Sequence, residues 1–142
     1  MAREFVERIH INSPPERVWA VLADVERWPE WTESMKKVDL LDGGPLATGS
    51  RARLRIRGSL ATPAWTVTSF EPTRSFTWSA RIMPGVTSHA DHELTPAEGG
   101  TDVTLRVRME GPLAGIAAVM LARVSRENMR MEAEGLKRAS EA

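Results

Sequence analysis

The sequence predicts an α+β domain in which a curved antiparallel sheet of about seven strands closes on one long C-terminal helix. Three observations carry this expectation. Residues 50–58, 75–82 and 102–110 alternate apolar and polar side chains at the two-residue period of a half-buried strand. The stretches between strands are short and rich in glycine and proline, which suits hairpins. From residue 113 onward, apolar positions recur at spacings of three and four, the period of a helix.

Taken in order, residues 3–11 (REFVERIHI) put Phe5, Glu7, Ile9 and Ile11 on one side, a strand with one acid among its apolar positions. Asn12-Ser13-Pro14-Pro15 ends it. Ser13 suits an N-cap, Pro14 a first turn, and Glu16 completes a capping-box spacing. A helix is therefore expected over 14–23, with Val18, Trp19, Val21 and Leu22 for burial. A second short helical segment starts at Asp24 and ends near Pro29, because an interior proline breaks an α-helix. Strands follow at 35–42, 50–58, 65–70, 75–82, 86–94 and 102–110. Gly43-Gly44-Pro45, Glu71-Pro72, Pro84-Gly85 and Glu98-Gly99-Gly100 supply turns, and the short connections predict an antiparallel meander. Gly111-Pro112 opens the last helix, over about 113–138 and so roughly 39 Å long. Leu113, Ala117, Met120, Val124, Asn128 and Met131 form its expected inward stripe.

The 142 residues suit one domain, 1–142, with a core large enough to need no covalent staples. The absence of cysteine excludes disulfides, thiolate metal sites and a cysteine nucleophile, and the absence of tyrosine excludes a phenolic acid. Lys plus Arg and Asp plus Glu number 19 each, which gives no global attraction to nucleic acid or acidic membranes. Residues 1–20 lack a charged-then-apolar signal pattern, and no apolar run reaches the length of a membrane span. A soluble, cytoplasmic protein is expected.

The stretch IHINSPPERVWAVLADVERWPEWTESMKKVDLL resembles the N-terminal signature of the START-like (SRPBCC) helix-grip superfamily, in its polyketide cyclase/dehydrase group. The matching features are the first strand, Ser13-Pro14-Pro15, Val18-Trp19, Asp24 and Trp28-Pro29-Glu30-Trp31. WTVTSFEPTRSFTW, HELTPAEGGTDVTL and the final helix fall where that group has its middle strands and its grip helix. The resemblance implies a ligand cavity between sheet and helix. Members bind lipids, sterols, hormones or polyketides, and only some catalyse, so the fold alone names no activity.

If the apolar parity of each strand faces the helix, the cavity is lined by Leu54, Ile56, Trp65, Val67, Phe76, Trp78, Ser88, Ala90, His92, Leu105 and Met109. The helix adds Met120, Val124, Asn128 and Met131. A mostly apolar wall with a few polar groups is the composition of a small-molecule site; the alternative is an ordinary filled core. His92 is the sole catalytic candidate. It suits hydrogen bonding to a ligand carbonyl or acting as a general base, and the bland alternative is a bond to a neighbouring strand. The amide of Asn128 needs partners, which a ligand, a water or a backbone carbonyl can supply. Glu7 is a more distant acid, of a kind that usually reaches solvent at a strand end.

The run His89-Ala90-Asp91-His92-Glu93 has the residue types of a metal site. Strand alternation turns His92 away from the other donors, and Arg106 and Arg108 on the next strand offer simpler ion-pair partners, so no metal is expected. Arg51, Arg53, Arg55 and Arg57 read as a solvated outer row, and without aromatics on the same face they do not suggest nucleic-acid binding. Val18-Trp19, Trp28 and Trp31 suit core or lid packing, with gating of a cavity mouth as the alternative. No nucleophile elbow, phosphate loop or cofactor motif is present, and no cofactor is expected. Three readings stay open. The first is a binding or carrier domain for a small apolar or amphipathic ligand, monomeric or homodimeric. The second, implied by the resemblance, is a polyketide aromatase/cyclase or dehydratase-like enzyme. The third is a toxin- or chaperone-like interaction module, which requires an exposed apolar patch.

Overall fold

In a computed structural model of the protein, which describes residues 3–142, the alternating segments form seven strands. These are β1 (Glu4–Ile11), β2 (Met35–Leu40), β3 (Arg51–Ile56), β4 (Ala64–Glu71), β5 (Ser75–Met83), β6 (Val86–Ala97) and β7 (Gly100–Glu110). They make one sheet in the order β1-β7-β6-β5-β4-β3-β2, with every neighbouring pair antiparallel. β2 to β7 are the meander that the short turns predict, and β1 returns to pair with β7. Register shifts at Met35/Lys37, Val67/Ser69 and Arg81/Met83 put an extra residue in one strand of a pair and bend the sheet. In β4 the shift also changes parity. Trp65 and Val67 are buried, and beyond the shift Phe70 rather than Ser69 turns inward, with its ring 5.5 Å from that of Trp19.

Helix α1 (Pro15–Ala23) has Pro14, not Ser13, at its N-cap, and no side chain caps it. Ser13 is buried instead, and its carbonyl accepts a hydrogen bond from Thr101 Oγ1 at 2.8 Å, which ties the chain to β7. A 3-10 segment (Val25–Glu30) follows, with Pro29 next to its end. Helix α2 (Ala114–Glu141) packs against β1, β6, β7 and α1. It runs past the expected end at 138 because its last turn is held by other elements. The Arg17 guanidinium donates to the carbonyls of Ala139 and Ser140, and the Glu141 carboxylate accepts the Asn12 backbone N–H at 2.8 Å. Gly135 is where α2 passes the 3-10 segment. A Cβ there would overlap the Trp31 carbonyl oxygen, so only glycine lets the two backbones come this close.

The helices divide the concave face of the sheet. Val18 and Leu22 of α1 and Val25 and Trp28 of the 3-10 segment are fully buried, in one cluster with Phe76 and Leu136. This filled end leaves the remainder of the concave face to be covered by the middle of α2 alone.

Candidate functional site

Between the sheet and the middle of α2 lies a cavity of about 220 Å³. It exceeds the ~150 Å³ of a void that holds benzene and is smaller than the ~300–1,000 Å³ of most drug-sized sites. A compact molecule of one or two rings matches that space. Leu54, Ile56, Trp65, Trp78, Ser88, Ala90, His92, Leu105 and Met109 line it from β3 to β7, and Trp28 closes one end. Leu121, Val124, Ser125, Asn128, Met129 and Glu132 line it from α2. The walls are exposed at Gly58 and Ser59 and part-exposed at Ile82, Met83, Leu121 and Val124, which mark the mouth.

Several expected wall residues lie elsewhere. Val67 and Phe76 are buried in the filled part of the core and do not border the cavity. Met120 is 72% exposed, on the outer side of α2. Met131 borders a separate surface groove shared with Val21, Glu134 and Arg138. The helix is therefore rotated from its expected seat. Residues 113–122 contain no charge, so periodicity alone cannot set which side of that stretch faces in. Tertiary contacts set it: Gly58, at φ +85°, sits so close to Val124 that a Cβ would lie 2.7 Å from Cγ2.

His92 lies in the cavity floor and is almost wholly buried. Phe76 stacks on its ring, with centroids 4.2 Å apart and planes 19° from parallel, while Trp28 and Trp78 present edges at 5.5 and 6.0 Å. Its Nδ1 is 3.1 Å from the Phe76 carbonyl oxygen. A carbonyl only accepts, so Nδ1 carries the proton and Nε2 keeps its lone pair. That lone pair faces Glu132 Oε2 at 3.6 Å. Burial pushes the imidazole down to about 4, against smaller upward pulls from the Phe76 carbonyl and Asp91. Burial pushes the Glu132 carboxyl up to about 8, and its side chain is only 15% exposed. Both shifts favour a neutral base beside a protonated acid, set in an aromatic wall. Glu132 was not among the expected site residues, although it continues the spacing of Val124 and Asn128. Burying a carboxylate is costly, and a protonated carboxyl escapes most of that cost.

Asn128 borders the cavity, but both ends of its amide are engaged. Oδ1 accepts from Arg57 Nη1 at 3.1 Å, and Nδ2 donates to the Arg57 carbonyl at 3.0 Å. Arg57 leaves the outer arginine row, because the chain bends after β3 and brings it to the cavity, where it also pairs with Glu127 at 3.2 Å. The outer donors of β6 are satisfied across strands. Asp91 accepts from Arg108 at 2.8 Å and from Thr77 at 2.7 Å, Glu93 from Arg106 at 2.6 Å, and His89 bridges Ser79 and Glu110. Arg108 holds the Asp91 carboxyl below its ordinary range in spite of burial. Glu7 is half-buried on β1, away from the cavity. No helix among the described residues is long and apolar enough to cross a membrane.

Comparison with known proteins agrees with this geometry. The chain is 24% identical over 128 residues to a protein named toxin Rv0910 of Mycobacterium tuberculosis, covering 86% of this chain and 87% of that one. Its fold superposes on the Zhui aromatase/cyclase of Streptomyces sp. R1128 with a TM-score of 0.78 at 20% identity, covering 97% and 93% of the two chains. A START superfamily protein of Mycobacterium smegmatis gives a TM-score of 0.73 at 17% identity, covering 94% of each. A sheet curled around one long helix, the N-terminal signature and a match over residues 2–141 together place the chain in the family described as polyketide cyclase/dehydrase and lipid transport.

Proposed function

We propose that the cavity binds one small, largely apolar molecule that contains a ring and carries an oxygen able to hydrogen bond at its deep end. The observation behind this is an apolar cavity in which His92 Nε2 and the Glu132 carboxyl are polar groups without a closer protein partner. Trp65 and Trp78 offer ring faces. Burying an aromatic group of about 150–200 Å² supplies about 4–5 kcal/mol before the costs of association. Calorimetric titration with naphthols, which match the cavity in size, is the direct probe. Trp78→Ala is expected to weaken binding about ten-fold, the equivalent of ~1.4 kcal/mol. An unchanged affinity would remove Trp78 from the site.

A second reading, acid–base catalysis on such a molecule, is favoured by the His92–Glu132 geometry. A neutral Nε2 can take a proton from a carbon next to a ketone, while the protonated Glu132 donates to the carbonyl oxygen, giving an enol with charge balanced throughout. This chemistry is the one expected at the start of an aldol closure or a dehydration. Deuterium incorporation next to the carbonyl of acetonaphthone in heavy water, followed by NMR, tests it. The wild type is expected to speed exchange by about 10²-fold or more, and His92→Ala to lose that gain. Equal exchange in both proteins would leave binding as the function.

A further inference from the structure

The end of the molecule around the cavity mouth exposes apolar side chains that the fold does not use. Ile116, Val119 and Met120 on the first turns of α2 are 62%, 60% and 72% exposed, and Leu60 in the β3–β4 connection is fully exposed. Leu113 sits beside them, 46% exposed, against the β5–β6 turn at Gly85. Soluble proteins scatter single apolar residues, but a group gathered on one end marks a contact surface.

Charge at this end departs from the balance of the whole chain. Residues 55–64, 80–88 and 111–124 contain Arg55, Arg57, Arg81 and Arg123 and no aspartate or glutamate. The flanking acids are already engaged, Glu110 by His89 and Glu127 by Arg57 and Arg123. Arg55 and Arg81 are exposed and make no ion pair among the described residues. An overall charge of zero therefore conceals an apolar tip with a cationic rim.

Such a rim discriminates between occupants. A symmetric dimer through this end would bring together two surfaces that are both rich in cations and poor in acids, and like charges oppose association. A bilayer with anionic headgroups satisfies both features. Apolar side chains enter the headgroup boundary and guanidinium groups meet phosphates. We propose that this end docks on an anionic lipid surface through Leu60, Ile116, Val119 and Met120, with Arg81 and Arg123 at the phosphates, so that the cavity mouth faces the membrane. The inference does not depend on what the cavity holds.

Sedimentation of the full chain with vesicles tests it. Vesicles of equal phosphatidylglycerol and phosphatidylcholine are expected to bind about ten-fold or more tightly than phosphatidylcholine alone, with binding weakened in about 0.5 M NaCl. The double variant I116E/V119E is expected to lose about ten-fold or more, and Arg123→Glu several-fold, by removing the apolar and the electrostatic contribution respectively. All three positions are exposed, and circular dichroism with a thermal melt checks that the variants stay folded. Three results would each overturn the proposal: no binding to anionic vesicles, binding unchanged in I116E/V119E, or a dimer in light scattering that I116E/V119E dissociates.

Discussion

Replacing Trp28 with alanine is expected to cost about 3–5 kcal/mol of folding stability, the range for deleting a buried large aromatic. For a domain of this size that lowers the melting temperature by roughly 10–17 °C. Trp28 is 1% exposed and stands where three parts of the molecule meet. Its ring centroid is 5.3 Å from that of Trp78, 5.5 Å from those of Trp31 and His92, and 6.3 Å from that of Phe76. Its Nε1 donates to the Leu22 carbonyl at 2.8 Å, which fixes the end of α1 to the 3-10 segment. The substitution removes that donor and opens a void continuous with the cavity, so water can enter and one of the three aromatic neighbours of His92 is lost. Calorimetric melting is the measurement; a loss below about 1 kcal/mol would show that the segment is not held by this residue.

The strands and α2 were legible because each has one solvated and one buried face, and period two or 3.6 then appears directly in the residue order. The cavity was legible on the sheet side and, along α2, only at Val124 and Asn128. Along β3, β5 and β6, side-chain parity is set by the pleat, so Leu54, Trp78, Ala90 and His92 point as expected. Val67 and Phe76 obey the same parity and are buried yet do not border the cavity, Phe76 lying instead against Trp19 and Trp28, because parity gives the side of a strand and not the position along it. On α2, a stretch free of charge from Leu113 to Ala122 left the rotation open by about one residue. That error put Met120 and Met131 inside in place of Leu121 and Glu132. Glu132 was hidden by its own chemistry, since a carboxyl is read as charged until its surroundings are known. Trp28 was read as packing and serves as both packing and cavity wall.

The single proton held by the native His92–Glu132 pair predicts how stability responds to pH. Unfolded, the carboxyl and imidazole titrate near their ordinary values of 4.5 and 6.5. Folded, they titrate near 8 and 4, so the native pair holds a single proton between about pH 4 and 8. The unfolded pair holds two protons below 4.5, one between 4.5 and 6.5, and none above 6.5. Stability depends on pH only where these counts differ. The pair therefore contributes no slope between 4.5 and 6.5, where the raised acid and the lowered base offset each other. Above 6.5 the native state alone keeps a proton, and stability falls by about 2 kcal/mol by pH 8, at ~1.36 kcal/mol per unit. Urea denaturation across that interval measures it. Glu132→Gln keeps the shape of a protonated acid and removes the titration, so the fall above 6.5 is expected to vanish while the loss of stability below 6.5 from His92 emerges. A His92–Glu132 ion pair would also hold one proton and give the wild-type curve, so the position of the proton needs its own measurement. The carboxyl carbon shift of Glu132 at neutral pH supplies it: a protonated acid is expected, and an ionised carboxylate would place the proton on His92 and remove the free base on which the catalytic reading depends.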